Sequence, residues 1–339
     1  MHIGVDLMGS KNSPEQLFEA VLEISEKSDE MTKFVVFVTN EIAAQLLGKF
    51  SPNFLQNNVG SKIDLCFVSD FITMDDEPLS AVRLKKGSSL SVGINQLGKG
   101  KIDAFVTSGN TGALIACSAI SLNPLAGLER PALLAVLPTK DTSLAMVDVG
   151  GNVSCKPQHL VQYAHIGAAY QRCSLGIEVP KIGLLNIGVE SRKGTSEVRE
   201  AYRILEKQAG APDSKIDFVG NVEGREVFEG KVDVLVTDGF TGNVLLKTSE
   251  GISSFILEYL QDTMKESTSE ELHHTLDSLQ RHFSYEEYPG ALVCGVEGVV
   301  VKCHGAATKK AMIQSIKGAI TLVQNQLTEK IKQESNNLQ

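Results

Sequence analysis

Long apolar runs are missing from this chain of 339 residues. No apolar run reaches the length of about 18 residues that a transmembrane helix requires. The first ten residues, MHIGVDLMGS, contain neither a basic region nor a cleavable apolar stretch. We therefore expect no membrane-spanning helix and no signal peptide, and we interpret the first residues as a β-strand.

Cysteine is sparse, and its distribution excludes the usual disulfide and zinc patterns. The six cysteines form no CxxC pair, and none has a histidine at the spacing of metal ligands. We expect buried free thiols in a reducing cytoplasm and no metal site. The net charge of −9 argues against general nucleic-acid binding, although it allows a local basic patch.

Several motifs of nucleotide-dependent and hydrolytic enzymes are also absent. The sequence has no GxxxxGK[ST] phosphate loop, no GxGxxG after its first strand and no GxSxG nucleophile elbow. A nucleophilic dyad of Cys155 or Cys303 with His159 or His304 remains conceivable, but an incidental pairing is the more common situation. These absences weaken the kinase, Rossmann dehydrogenase and serine hydrolase interpretations.

Short β-branched runs alternate with amphipathic stretches, which is typical of a layered α/β fold with a largely parallel sheet. The predicted strands are 3–7, 34–39, 63–68, 102–106, 133–137, 144–149, 182–186, 216–219, 232–236, 291–295 and 299–302. The predicted helices are 14–27, 41–49, 88–97, 111–118, 157–173, 195–208 and a last helix from 308 to about 327. We expect one domain over residues 1–332 and a disordered tail at 333–339.

One segment occurs twice, as GKIDAFVTSGNTGALI at 100–115 and GKVDVLVTDGFTGNVL at 230–245. Each copy predicts a strand, a tight turn and a helix start, a geometry in which backbone N–H groups face an anion. A paired phosphate cradle and a duplication whose glycines only serve the turns are equally compatible with the repeat.

Polar loops follow six of the predicted strands, where ligands bind in open α/β sheets. They are DLMGS at 6–10, TSGNTG at 107–112, DVGGN at 148–152, NIG at 186–188, GNVEGR at 220–225 and TDGFTGN at 237–243. Basic side chains lie near these loops, although each could be a solvated surface charge: Lys156, Arg192, Lys193, Arg225, Lys247, Lys302 and His304. Together the loops favour a crevice for a small anion.

Residues 251–283 change to a helical period and predict an amphipathic helical hairpin with a polar tip at 265–271. The two apolar stripes are Ile252, Phe255, Ile256, Tyr259, Leu260 and Met264, and then Leu272, Leu276, Leu279 and Phe283. Such stripes usually pack on the core or on a second subunit, and less often on a membrane surface.

Motifs along nearly the whole chain resemble those of one family, in that family's order. Besides the loops named above, they are MDDEP at 74–78, SGNTGAL at 108–114, ERPA at 129–132, DVGGNVSCKP at 148–157, GLLNIG at 183–188, KTSEG at 247–251 and KCHG at 302–305. The sequence thereby resembles the phosphate acyltransferases of bacterial phospholipid synthesis (PlsX type). The resemblance implies a three-layer α/β/α fold like that of isopropylmalate dehydrogenases and phosphotransacetylases, with the hairpin protruding.

The resemblance also implies a reaction and its partners. Acyl-[acyl carrier protein] and inorganic phosphate would give acyl phosphate and free carrier protein, without metal, nucleotide or other cofactor. The product would serve a membrane glycerol-phosphate acyltransferase. A homodimer in the cytoplasm, whose hairpin associates peripherally with the membrane, is the implied assembly.

Four positions depart from the family pattern. Ser10 and Lys11 stand where a second Gly and an Asp are usual, which removes an acidic group from the first loop. An acid usual near the start of the last helix is replaced around Thr308, and Cys303 replaces the usual Ser before His304.

Within this scheme we expect the two repeated loops to hold phosphate and the acyl carbonyl. The candidate catalytic residues are Asp238, Asn243, Lys302 and His304. The candidate phosphate or substrate ligands are Gly109, Asn110, Thr111, Gly112, Asn152, Lys156, Asn186, Gly239, Thr241 and Gly242. The candidate docking residues for the acidic carrier protein are Arg83, Lys85, Lys86, Arg192 and Lys193.

Three other functions remain open on the sequence alone. An NAD-dependent hydroxy-acid dehydrogenase could share the sheet, and a phosphotransacetylase would use acyl-CoA instead of the carrier protein. A non-catalytic membrane-surface adaptor would use the hairpin stripe alone.

Overall fold

The computed structural model describes residues 1–49, 60–125, 128–264, 275–276, 278–280, 283, 288–304 and 308–336. Eleven strands lie within these ranges: β1 His2–Asp6, β2 Lys33–Thr39, β3 Ile63–Val68, β4 Ala104–Thr107, β5 Ala132–Pro138, β6 Ser143–Val147, β7 Lys181–Asn186, β8 Asp217–Glu223, β9 Val234–Val236, β10 Ala291–Cys294 and β11 Val299–Lys302. Each predicted strand is present, with ends shifted by a few residues.

The helices of the described residues cover both faces of the sheet. They are α1 Pro14–Lys27, α2 Asn40–Lys49, α3 Pro78–Leu84, α4 Ser89–Gly98, α5 Thr111–Ser121, α6 Pro157–Leu175, α7 Ser196–Ala209, α8 Gly239–Met264, α9 Lys309–Gln324 and α10 Leu327–Asn336, with a 3-10 helix at Gly224–Glu229. The short helix α3 has no counterpart in the sequence prediction.

The strands form a single sheet with the order β3-β2-β1-β4-β11-β10-β5-β6-β9-β7-β8. Pairing is antiparallel for β10 with β11, β10 with β5 and β5 with β6, and parallel for the other neighbours. The expected α/β fold with a largely parallel sheet is therefore confirmed.

The antiparallel pairs reverse the strand direction between the two halves of the sheet. Strands β1, β4 and β11 end at one edge, whereas β6, β7, β8 and β9 end at the opposite edge. The six polar loops, which the sequence analysis grouped as one crevice, therefore lie at two opposite sides of the sheet. The segment at 220–225 also differs from the prediction, because β8 continues through Glu223 and includes its first four residues.

Alternation along β5 divides the core between the two faces. Ala132 and Leu134 belong to the cluster beneath α1, α6 and α9, while Leu133 and Ala135 belong to the cluster beneath α4 and α5. Leu245 and Leu246 of α8 pack against this second cluster. The two helices of the repeated segment, α5 and α8, thus lie on the same face of the sheet.

Both copies of the repeat adopt the predicted strand, turn and helix start. In the second copy α8 begins at Gly239 and continues to Met264, so the hairpin's first arm begins well before residue 251. The Asp238 carboxylate accepts hydrogen bonds from the backbone N–H of Thr241 (2.8 Å) and from its hydroxyl (2.9 Å), which caps this helix.

The second arm of the hairpin is described only at residues 275–276, 278–280 and 283, which are helical. Gln261 of the first arm donates a hydrogen bond to Gln280 of the second at 3.2 Å. The predicted tip at 265–271 lies outside the described residues. Within the described ranges no helix is both long and apolar enough to cross a membrane.

The carboxyl-terminal region contains two helices where the sequence predicted one. Helix α9 ends at Gln324, and Gln326 adopts a left-handed conformation with φ of 54° before α10 begins. Helix α10 reaches Asn336, so residues 333–336 of the expected tail are helical, and 337–339 lie outside the described residues.

Candidate active site

A cavity of about 590 Å³ lies on the sheet between α5 and α8. Thr111 and Gly112 of the first repeat copy and Asn243 of the second line it, together with Lys302 and His304. Five of the predicted site residues therefore meet in one place. The helices of the two copies, rather than the edge of a parallel sheet, bring them together.

Lys302 is the buried cation of this cavity, with only 6% of its surface exposed. Its ammonium group donates a hydrogen bond to the carbonyl oxygen of Ser108 (3.3 Å) and another to that of Cys303. Burial, reinforced by the nearby positive charge of Lys247 and opposed by Cys303, lowers the pKa of Lys302 to about 8. The side chain is therefore largely protonated at neutral pH.

His304 follows two residues later at the mouth of the cavity. Partial burial lowers the pKa of His304 below its ordinary value, and the positive charge of Lys247 acts in the same direction. Glu250 opposes this shift, whereas Lys302 and Lys11 reinforce it. Lys11, one of the departures from the family pattern, thus adds a positive charge near His304.

Lys247 and Glu250 join the cavity from α8. Lys247 was named among the basic side chains near the loops but not among the candidate site residues, and Glu250 was not named. Their side chains form an ion pair at 2.5 Å, and both line the cavity beside Asn243. Positions 243, 247 and 250 share one face of a helix. The repeat predicts a helix start after this turn, but its pattern does not indicate which face of the helix lines a cavity.

Ser108 is another residue that was not among the predicted site residues. Its hydroxyl is buried and has no hydrogen-bond partner among the described residues, although its own carbonyl oxygen contacts Lys302. A buried polar group without a partner carries a desolvation penalty. Ser108 itself is not among the residues that line the cavity, but Lys302, which its carbonyl oxygen contacts, is one of them.

The first repeated loop is held by side chains rather than left free. Asn110 accepts a hydrogen bond from Ala113 N–H (3.0 Å), and its amide nitrogen donates to the carbonyl oxygens of Thr73 (3.2 Å), Met74 (3.3 Å) and Asp76 (3.2 Å). Asn110 thus caps α5 and fastens the 73–76 loop, with its amide already engaged by the backbone.

Asp6 supports the same loop from the neighbouring strand. Its carboxylate accepts hydrogen bonds from the Thr107 hydroxyl (2.9 Å) and from Met8 N–H (2.9 Å). The Thr107 oxygen in turn accepts from Gly109 N–H at 3.0 Å. Burial raises the pKa of Asp6, and the hydrogen bonds lower it by less. The net result is a pKa of about 6.

Asp148 organises the loop at 148–152 in a similar way. Its carboxylate accepts hydrogen bonds from four backbone N–H groups, those of Leu133, Gly150, Gly151 and Asn152. The Asn152 amide donates to Pro131 O, to Asp148 and to the Tyr163 hydroxyl. Asn152 is therefore fully engaged in holding this loop.

The start of α8 fits closely against that loop. Gly239 N–H donates to the carbonyl oxygen of Asn152 at 2.8 Å, and a Cβ at Gly239 would lie 2.6 Å from the same oxygen. Both Gly239 and Gly242 therefore permit a close crossing of two backbone segments. This contact is what orients Asn243 toward the cavity, where it lies against Gly150.

Four other predicted site residues lie on the other side of the first turn of α8. Asp238 and Thr241 line two further cavities, of about 570 and 660 Å³. Asn186 belongs to the first of these and Lys156 to the second. The structure therefore separates these four residues from Lys302 and Asn243.

The conceivable dyad of Cys155 with His159 does not form. Lys156 N–H donates to His159 Nδ1 at 3.2 Å, and His159 Nε2 lies 2.9 Å from Glu129. Cys155 instead donates to the Tyr163 hydroxyl at 3.7 Å, and burial raises the pKa of the Cys155 thiol. Both imidazole nitrogens are occupied by groups other than a thiol.

The docking candidates divide into engaged and exposed side chains. Lys85 forms an ion pair with Asp76 at 2.8 Å and donates to Phe71 O at 3.1 Å, so it fastens its own loop. Arg83 and Lys86 are exposed on or just after α3, whose Pro78 lies against Gly112 of the cavity. Arg192 is also exposed, and Lys193 is half-buried, near the second cavity.

Solved structures of phosphotransacetylases share this fold. The EutD phosphotransacetylase from Staphylococcus aureus aligns with a TM-score of 0.62 and 14% identity, over 95% of this chain and 94% of its own. A phosphotransacetylase from Streptococcus pyogenes gives a TM-score of 0.62 and 16% identity, over 96% and 94%. The protein therefore belongs to the class of α/β proteins with a phosphotransacetylase-like fold, and its cavity lies between the two helices of the repeat.

Sequence comparison defines the family. Residues 1–330 match the model of the fatty acid synthesis protein family. The phosphate acyltransferase of Chlamydia caviae is 38% identical over 333 residues, covering 98% of each chain, and that of Clostridium acetobutylicum is 35% identical over 343 residues, covering 100% of each. The chain belongs to the phosphate acyltransferase family and is an enzyme that transfers an acyl group to phosphate.

Proposed function

We propose that the acyl donor is an acyl-[acyl carrier protein] and that the products are acyl phosphate and free carrier protein. The observation that carries this proposal is the composition of the cavity between α5 and α8. Lys302, Lys247 and His304 lie at one part of a space that is otherwise lined largely by apolar side chains. A small anion and a fatty acyl group are complementary to these two parts.

In the proposed reaction a phosphate oxygen attacks the thioester carbonyl carbon. The new C–O bond forms, the C–S bond breaks, and the carrier leaves as a thiolate that is then protonated. Phosphate at neutral pH is already nucleophilic and a thiolate is a fair leaving group, so no covalent enzyme intermediate is required. Holding both substrates in line would contribute about 7–11 kcal/mol.

The buried cation and the unpaired hydroxyl supply the electrostatic part of the mechanism. Lys302 balances the charge of phosphate and of the carbonyl oxygen as it becomes an oxyanion, and Ser108 provides a hydrogen bond nearby. The Lys302 donor to the oxyanion would contribute about 3 kcal/mol to transition-state stabilisation, and the Ser108 hydroxyl a smaller amount. Because the pKa of Lys302 is about 8, its ammonium is also well matched to protonate the leaving thiolate.

The other cavity residues act by position and charge. Asn243 and Thr111 are polar groups from the two helices that orient the substrates, and Lys247 adds a second positive charge. His304 acts in its neutral form at pH 7, because its surroundings lower its pKa. It is then a hydrogen-bond partner rather than a cation.

The supporting residues act through the backbone. We assign positioning roles to Asn110 and Asn152, with Gly109, Gly112, Gly239 and Gly242 allowing close approach. Asp238 is assigned the same kind of role, as the cap of α8. Asn186, Thr241 and Lys156 take part only if a substrate extends past the start of α8 into the neighbouring cavities.

The carrier protein docks, in this proposal, on α3 beside the cavity. Arg83 and Lys86 present two positive charges to an acidic partner, and Leu84 between them is 83% exposed. Lys85 belongs to the scaffold through its ion pair with Asp76. Arg192 and Lys193 form an alternative docking site, farther from Lys302.

The apolar stripe on α8 supports the assembly that the family resemblance implies. Ile252, Phe255 and Tyr259 are exposed along this helix. We propose that the enzyme is a cytoplasmic homodimer, that the hairpin associates peripherally with the membrane, and that a membrane glycerol-phosphate acyltransferase receives the acyl phosphate. No nucleic acid takes part in this scheme.

A phosphotransacetylase acting on acyl-CoA is the second candidate, because solved phosphotransacetylases share the fold. Purified protein is incubated with phosphate and either dodecanoyl-carrier protein or dodecanoyl-CoA, and acyl phosphate is trapped as the hydroxamate. The proposal predicts a higher kcat/KM with the carrier protein. A clear preference for acyl-CoA would assign the second function instead.

A further inference from the structure

A row of three side chains crosses the floor of the cavity on adjacent strands. Lys302 of β11 pairs with Ala291 of β10, and the pairing of Leu292 with Leu134 places Ala291 beside Ala135 of β5. All three members of the row line the cavity. Because neighbouring strands are about 4.8 Å apart, the row extends about 10 Å from the lysine.

Met146 is the next residue of this row, on strand β6. It pairs with Ala135 across β5 and β6, so its side chain lies on the same face of the sheet. Met146 is fully buried and does not line the cavity. A large side chain thus follows two small ones at the point where the open space ends.

The walls above the two alanines are apolar. Ile115 of α5, Leu246 of α8 and Leu133 of β5 line the space beside them. We use the name alanine trough for the space over Ala291 and Ala135 that these three side chains border. One end of the trough opens toward the Lys302 ammonium, and the other meets Met146.

We propose that the alanine trough binds the hydrocarbon chain of the acyl group and that Ala135 and Met146 set the longest chain it accommodates. This inference rests on the proposed function, which places the thioester carbonyl near Lys302. A butanoyl chain would end over Ala291, whereas a dodecanoyl chain would pass Ala135 and reach Met146.

The physical basis is the burial of methylene groups against small side chains. Each methylene moved from water into an apolar site changes affinity by about fourfold. Leucine at position 135 would add three carbon atoms to the floor and exclude about three methylenes. The expected loss of affinity is therefore about fiftyfold for a long acyl chain. It is small for an acyl chain that ends before position 135.

The first test compares Ala135→Leu with Ala211→Leu, a control at an exposed alanine after α7. The ratio of kcat/KM for dodecanoyl-carrier protein to that for butanoyl-carrier protein is measured for each variant. We expect Ala135→Leu to lower this ratio by at least tenfold and Ala211→Leu to leave it at the wild-type value. An unchanged ratio in Ala135→Leu would overturn the inference.

A second test requires no turnover, which separates this inference from the proposed function. Binding of free decanoate and hexadecanoate is measured by calorimetry for the wild type, Ala135→Leu and Met146→Ala, each confirmed as folded by its melting temperature. Ala135→Leu should weaken hexadecanoate binding by at least tenfold, and Met146→Ala should favour hexadecanoate over decanoate relative to the wild type. Chain-length effects without acyl phosphate formation would support the trough and contradict the function. Equal affinities in all three proteins would exclude the trough.

Discussion

The carbonyl oxygen of Asp148 lies directly against Gly242, where an added Cβ would be 1.9 Å from it. This contact joins the loop after β6 to the first turn of α8. It determines where Asn243, the next residue, enters the cavity. The second repeated loop is therefore a backbone crossing as much as a ligand site.

Replacing Gly242 by alanine should destabilise the protein by at least about 1–3 kcal/mol, because two backbone segments must separate to relieve the overlap. Gly251 lies in the same helix with open space around its Cα, so Gly251→Ala should stabilise by about 0.5–1 kcal/mol. Chemical denaturation of both variants measures the difference. Equal stabilities would show that the crossing is not tight.

Removing the unpaired hydroxyl of Ser108 should separate activity from stability. We expect Ser108→Ala to lower kcat/KM by about tenfold, because a hydrogen bond to the substrate is lost. Its free energy of unfolding should not fall, because the hydroxyl has no partner among the described residues.

Ser118 on α5 supplies the matched control for this prediction. Its hydroxyl is also buried without a partner in the described part of the chain, but its carbonyl oxygen accepts from Leu122 N–H (3.0 Å) rather than from Lys302. Ser118→Ala should leave kcat/KM unchanged. Equal effects of the two substitutions on kcat/KM would remove Ser108 from the mechanism.

Substituting Lys302 by methionine should lower kcat/KM by about a hundredfold to a thousandfold, because the buried positive charge that stabilises the oxyanion is lost. The exposed residue Lys317 on α9 is the control, and Lys317→Met should retain full activity. Steady-state kinetics at varied phosphate concentration checks both variants. Near-normal turnover of Lys302→Met would exclude Lys302 as the balancing charge.

The low pKa of Lys302 also predicts a pH dependence with a definite sign. The folded protein holds the Lys302 proton less tightly than the unfolded chain, whose lysine pKa is near 10.5. The cost of burying the charge is therefore complete below about pH 8 and is relieved as pH rises toward 10.5.

Lys302→Met should accordingly gain stability relative to the wild type below pH 8, and this gain should shrink at higher pH. The activity of the wild type should fall as pH rises through about 8, because the ammonium form is lost. Urea denaturation and rate measurements from pH 6 to 10 would check both trends. A rate that increases through pH 8 would contradict the assigned role.

Charge reversal on α3 tests the docking surface. The double variant Arg83→Glu and Lys86→Glu should raise the KM for the acyl-carrier protein by about tenfold or more, because two attractive charges become repulsive. The kcat should change little, since neither side chain lines the cavity. Lys317→Glu combined with Lys207→Glu, at two exposed lysines, is the control for the same change of net charge, and a KM equal to that of this control would reject the surface.

Much of the fold was predictable because its signals are local. Ser13 and Pro14 at the start of α1, for example, define a helix boundary that the structure reproduces. The direction of β10 was not predictable in the same way. It depends on pairing Leu292 with Leu134, a contact between residues distant in the sequence.

The candidate site also contains residues that local motifs identify and residues that only tertiary contacts reveal. Lys302 and Asn243 were identified from motifs, and both line the cavity. Asn110 was expected to face the substrate, but its amide is bonded to the 73–76 loop, a partnership that no local pattern reveals. The burial of Ser108 depends on the tertiary packing of its loop, so it could not be recognised from the sequence.

Transfer of the acyl group to phosphate in the cavity is the central claim, and isotope labelling tests it most directly. Purified protein is supplied with dodecanoyl-carrier protein and ³²P-phosphate, and labelled acyl phosphate is measured alongside free carrier thiol. We predict one labelled acyl phosphate for each thiol released, and almost none of either with Lys302→Met. Thiol release without labelled acyl phosphate, or at a rate independent of phosphate, would contradict the account.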